Sequence, residues 1–127
     1  MRRVWFATFG LIALTACGTW VRAAGDDSSR SEFFEKKIRP ILTDDCYKCH
    51  SPTGGKLKGG LSLASREGLL KGGENGAAIV LGHPEKSRLI EAIHWTNKDL
   101  QMPPKTQLPE SAVADLEKWV QIGRAHV

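Results

Sequence analysis

Apolar residues along this chain fall into separated periodic stretches, with long runs of glycine, proline and polar residues between them. In "SEFFEKKIRPILTDDC", Phe34, Ile38, Ile41 and Leu42 recur at helical spacing behind Ser31 as N-cap, which predicts a first helix over about 31–45. Pro40 lies inside that pattern, so a kink or restart is expected there. "HPEKSRLIEAIHW" predicts a second helix, with Pro84 at its first position, Glu85 facing the N-terminal dipole, and Leu89, Ile90 and Ile93 as its buried stripe. "PESAVADLEKWVQ" predicts a last helix over about 109–122, with Val113, Leu116 and Val120 on one face beside Trp119. "LSLASREGLLKGG" reads as a short extended piece and one or two helical turns closed by Gly72 and Gly73. The remainder, "SPTGGKLKGG", "ENGAAIVLG" and "TNKDLQMPPKTQL", is loop by composition, and "GDDSSRS" reads as a disordered lead-in. The pattern therefore predicts an all-α domain of three to five short helices joined by long Gly/Pro-rich loops.

The two ends stand apart from that domain. "MRR" followed by "VWFATFGLIALTA" has the layout of a secretory leader, a positive start and an apolar run too short for a good membrane span, so residues 1–24 are set aside as a signal peptide. Its end reads two ways. "LTAC" matches a lipoprotein box that would lipidate Cys17, whereas "TWVRAAGDD" offers cleavage after Ala23 or Ala24 and would discard Cys17. Both place the domain in the periplasm or cell envelope, and only the first gives it a membrane anchor. "IGRAHV", residues 122–127, resembles a sequencing-adapter scar and is excluded, which leaves 25–121 as the domain and implies a truncated chain.

These exclusions change the charge argument. The 127-residue chain holds 18 basic and 14 acidic residues. Arg2, Arg3, Arg22 and Arg124 all lie in the excluded ends, so the domain is about neutral and its basic pI gives no reason to expect nucleic acid. A small, glycine-rich domain of this size usually needs a disulfide, metal or cofactor to hold its core.

The candidate is "CYKCH", in which Cys46 and Cys49 stand three apart and His50 follows. A zinc site needs a second ligand pair, and His83, His94 and His126 form none at zinc-binding spacing. A thioredoxin-type dithiol needs a strand–helix context, but the preceding segment reads as helix. A disulfide across so short a loop would stabilise little. Cys-x-x-Cys-His is the attachment sequence of c-type haem: two thiols on one face of a helical turn for two thioether bonds, and a histidine beside them for the iron. Such a haem asks for a second axial ligand downstream. Apart from Met1 the chain holds one methionine, Met102, in the proline-stiffened "LQMPPK". His83 and His94 are alternative sixth ligands, but a helix start and a helix end explain them more simply. Lys56, Lys58 and Lys71 read as a solvated face that could also steer an acidic partner.

With these residues in place the chain resembles the cytochrome c superfamily, and more narrowly the planctomycete-type cytochrome c domain. "IRPILTDDCYKCH", "GGLSLASREGLLKGGENGAAIV", "GHPEKSRLIEAI" and "MPPKTQLPESAVADLEKWV" stand in the order of that family, from about Phe33 to Gln121. Two departures are visible: Leu81 where a proline is common, and His83 where Asp or Asn is common. The resemblance implies the small all-α cytochrome c fold, with the first helix crossing the last so that Phe34 and Ile38 pack on Leu116 and Val120. It implies one covalent haem c on Cys46 and Cys49, with His50 as proximal and Met102 as distal iron ligand. The function it implies is single-electron transfer without bond chemistry on a substrate. The partner would be a redox protein or an adjacent redox domain, since the family's domain is commonly the N-terminal part of a larger exported protein. Two rival functions are a haem-based sensor or catalyst with an open sixth position, and a haem-free zinc or disulfide interaction module.

Overall fold

Helix forms wherever the apolar residues recur at helical spacing, and it extends further toward the N-terminus than that spacing alone predicts. The computed structural model describes residues 24–55 and 57–123. Cys17, Lys56, His126 and nearly all of the expected signal peptide, residues 1–24, lie outside the described residues, as does the chain from Arg124 onward. Among the described residues there is no strand, only a single bridge between Gly73 and Gly76 that closes a turn. The domain is all-α, as the pattern predicts.

The first helix is a correction. The lead-in "GDDSSRS" is helical, and Ser31 lies within α1 (Ala24–Phe33) instead of capping a later start. Asp26 and Asp27 in the first turn complement the helix dipole. Ion pairs at i,i+4 spacing then run along the exposed face: Asp26–Arg30, Glu32–Lys36 and Glu35–Arg39. Helical backbone continues through α2 (Arg39–Ile41) and α3 (Tyr47–His50), and two wider π turns, Phe34–Ile38 and Leu42–Cys46, separate these pieces. Pro40 accounts for the first of them. It has no N–H to donate and its ring crowds the carbonyl four residues back, so the turn opens and Arg39 N–H reaches Phe34 O. The expected kink is thus absorbed as a widened turn in an unbroken helical path.

α4 (Arg66–Lys71) is the short helix expected before Gly72. Ser65 caps it, its Oγ accepting from Gly68 N at 3.0 Å. Gly72 closes it at φ +73°, and a Cβ there would lie 1.8 Å from Gly76 O, so no other residue fits this turn. The second predicted helix is divided. A 3₁₀ turn, Pro84–Lys86, is separated from α5 (Arg88–His94) by Ser87 in extended conformation. The buried Ser87 hydroxyl donates to His83 O at 2.8 Å and accepts from Val80 N at 2.9 Å, which explains the break. His83 itself pairs with Glu85 and caps nothing. α6 (Glu110–Ile122) ends on Gly123 in left-handed conformation, close to the bounds of about 109–122 expected for the last helix.

The core forms where the first helical path meets α6. Phe34, Ile38, Leu42, Leu116, Trp119 and Val120 are all buried and belong to one cluster, with the Phe34 and Trp119 rings 5.9 Å apart. Leu63, Leu69, Ile79, Ile90 and Ile93 continue the cluster through the middle of the chain. Gly82 N–H donates to Val120 O at 2.9 Å, fastening the middle segment to the end of α6.

Candidate functional site

The helical path delivers the cysteine motif to the edge of this core. Leu42 is fully buried one turn before Cys46, and Cys46 itself packs against the cluster. Cys46 and Cys49, three apart on the last helical turns, both face the same cavity of about 360 Å³. His50 ends the helix and lines that cavity too. Its backbone is fixed from the other side, where Leu63 N–H donates to His50 O at 2.7 Å. The next residue, Ser51, is buried, donating to Tyr47 O at 2.8 Å and accepting from Gly54 N at 3.1 Å. Gly54 then passes so close to Tyr47 and Lys48 that a Cβ would lie 2.4 Å from Tyr47 O.

Met102 lines the same cavity, together with Pro103 and Pro104. Its N–H donates to Ala92 O at 3.0 Å, and its carbonyl accepts from Trp95 Nε1 at 3.1 Å. The side chain stands at the cavity's open edge, 36% exposed. Leu61, Leu63, Ala78, Leu89, Ile93 and Leu100 supply apolar lining, so the four residues picked from the sequence meet around a mostly hydrophobic space. A cavity of this size falls within the range of about 300–1,000 Å³ usual for small-molecule and cofactor sites. His83 and His94, the alternative ligands, are absent from the lining and are engaged elsewhere: His83 with Glu85 at 2.9 Å, His94 with Glu117 of α6 at 2.7 Å.

Two features of the donor set bear on the rival chemistries. Burial, and next to it the charge of Asp45, pushes the Cys46 thiol up to about 12. A thiol held protonated is a poor redox nucleophile, since attack needs the thiolate. Among the described residues no three His, Cys, Asp or Glu side chains gather at a site able to hold a metal ion. The His50 ring, by contrast, is unfinished: Nδ1 is buried with no hydrogen-bond partner. An imidazole at a cavity wall that the protein does not satisfy suits a group bound in that cavity. Apolar walls, an unpartnered histidine nitrogen, two thiols and a thioether around one cavity fit a c-type haem.

The sequence did not point to Lys58 and Arg88 as cavity residues, although they are the two cations in the lining. Nor did it point to Trp95, Ser51 or Ser87 as the groups that hold the surrounding backbone. Such roles depend on hydrogen bonds between distant segments, which periodicity does not register. A family model described as planctomycete cytochrome C matches residues 46–106. Neither the comparison with curated proteins nor that with solved structures gives a match.

Proposed function

From the match of residues 46–106 to planctomycete cytochrome C, we propose that the chain is an exported domain carrying single electrons on one covalently bound haem c. The observation that carries this reading is the convergence of Cys46, Cys49, His50 and Met102 on one apolar cavity. Cys46 and Cys49 would hold the porphyrin through thioether bonds, and His50 and Met102 would ligate its iron. When bound, the haem supplies a one-electron Fe(III)/Fe(II) couple.

The residues of the chain have three tasks around it. His50 and Met102 are neutral ligands fixed on separate parts of the fold, so the same set serves both oxidation states and little has to rearrange. Leu63, Leu89 and Ile93 keep water from the centre of the cavity. Lys58 and Arg88 are exposed residues at the cavity, placing positive charge where an acidic redox partner would approach. No general acid or base is required of any residue, in keeping with a role that makes and breaks no substrate bonds. The leader at residues 1–24 supports export, which covalent haem attachment needs, and the partner would be a separate redox protein or an adjoining redox domain of a longer chain.

One observation favours a second reading. The exposed edge position of Met102 suits a haem sensor or catalyst whose sixth site opens to a small ligand. Mass spectrometry and absorption spectroscopy of the full chain, produced in a host with c-type maturation, test both. Electron transfer predicts one haem retained after denaturation and a low-spin spectrum in both oxidation states. A covalent but high-spin haem would favour the sensor, and a colourless protein from a host that matures a control cytochrome would end both haem readings.

A further inference from the structure

Resting on the haem reading above, we propose that Trp95 is a positioning residue that holds Met102 in place as the distal ligand. α5 ends at His94, and Trp95 follows with φ +60° and ψ +16°. Among the described residues it is the only one other than glycine with positive φ. Glycine or asparagine ordinarily takes this position after a helix, and a bulky side chain there is strained.

The conformation puts the half-buried indole to use. Its Nε1–H donates to Met102 O at 3.1 Å, while Met102 N–H donates to Ala92 O at 3.0 Å. Both backbone polar groups of Met102 are therefore tied to the end of α5. The adjoining loop is fastened to the same helix end: Gln101 Nε2 donates to Trp95 O at 3.2 Å, and Gln107 Nε2 to His94 O at 3.4 Å. Carbonyls that a helix leaves without internal partners thus become the anchors of the loop. The Met102 side chain lies at the exposed edge of the cavity, so these bonds, more than core packing, set where its thioether can go. Among the described residues the Trp95 bond is the hydrogen bond to Met102 that comes from a side chain, so it can be removed without altering the backbone.

The test uses the full chain carrying covalent haem, as parent, Trp95→Phe, Trp95→Tyr and Met102→Ala, with imidazole as a competitor for the sixth position. Trp95→Phe keeps an aromatic ring and the same backbone demand but deletes the donor. It should bind imidazole roughly two- to tenfold more tightly than the parent, the fold-change expected for losing one hydrogen bond. The methionine–iron charge-transfer band should weaken at unchanged haem content, and Trp95→Tyr, which returns a donor, should recover part of both. Trp95→Phe that unfolds more easily in urea yet has parental imidazole affinity and band would overturn the proposal, because a merely structural residue does that. If Met102→Ala keeps the parental band and affinity, Met102 is not the ligand and the distal assignment itself fails. Should Trp95→Phe fail to accumulate, indole hydrogen exchange in the parent decides. The Trp95 Nε1–H should exchange slowly while Met102 is bound and faster once imidazole displaces it; an unchanged rate would overturn the proposal.

Discussion

The two sides of the cavity are held by different physics. Cys46, Cys49 and His50 end a helical path whose Phe34, Ile38 and Leu42 are buried against Leu116, Trp119 and Val120. Met102 sits in the segment 95–109, where Leu108 alone is buried and order comes from hydrogen bonds to the end of α5. Apolar packing spreads its energy over many contacts and tolerates the loss of any one polar group. A segment held by a few hydrogen bonds responds to each of them. The attachment side is therefore robust, and the ligand side is the part that small changes can tune.

Substitutions on the two sides should separate stability from ligation. The largest effect is expected from Leu116→Ala, which empties a fully buried position at the crossing of α6 with the first helical path. It should cost about 2–5 kcal/mol in urea unfolding. Before unfolding it should leave the Met102 charge-transfer band as in the parent, the converse of Trp95→Phe. A Leu116→Ala protein with normal stability and a lost band would break the comparison.

A pH effect of intermediate size belongs to the attachment side. Without haem, Cys46 is a thiol whose ordinary value of 9.0 is raised to about 12 by burial and by Asp45. The folded chain then holds a proton that the unfolded chain releases, so stability is complete below about 9 and falls as pH rises from there through about 12. Urea midpoints of the haem-free chain measured across that window should decline. The matured protein, whose Cys46 sulfur no longer titrates, should lack this contribution. Equal declines in both forms would mean that another group is responsible.

The smallest effect should come from the surface of the first helix. The hydrogen bond between Glu32 and Lys36 lowers the pKa of Glu32 and raises that of Lys36, yet both are exposed. Lys36→Gln should leave the melting temperature and the band within error, since exposed pairs of this kind contribute little and are screened by salt. A clear loss of stability would show that the helical lead-in depends on its ion pairs more than on packing further along.

What could be read from the sequence follows the same division. The burial of Phe34, Ile38, Leu116 and Val120 was legible because burial leaves a period in the residue pattern, whereas their packing on one another came only with the family resemblance. The convergence of Met102 with the cysteine motif was legible through chemistry, since Cys-x-x-Cys-His asks for a partner and the domain has one methionine. The helical lead-in was missed because charged pairs, not apolar residues, extend it. Ser87 has a helix-like sequence on both sides, and only its burial and its bonds to Val80 and His83 break the helix. Trp95 offered one faint clue: a helix ends there without the glycine or asparagine that usually permits the left-handed turn.

The measurement that tests the central claim most directly is the absorption spectrum of the oxidised, haem-bearing chain beside that of Met102→Ala. The account predicts a covalent low-spin haem in the parent, with a methionine–iron charge-transfer band that disappears in the variant at equal haem content. A parent without that band, or a variant that keeps it, would contradict the account.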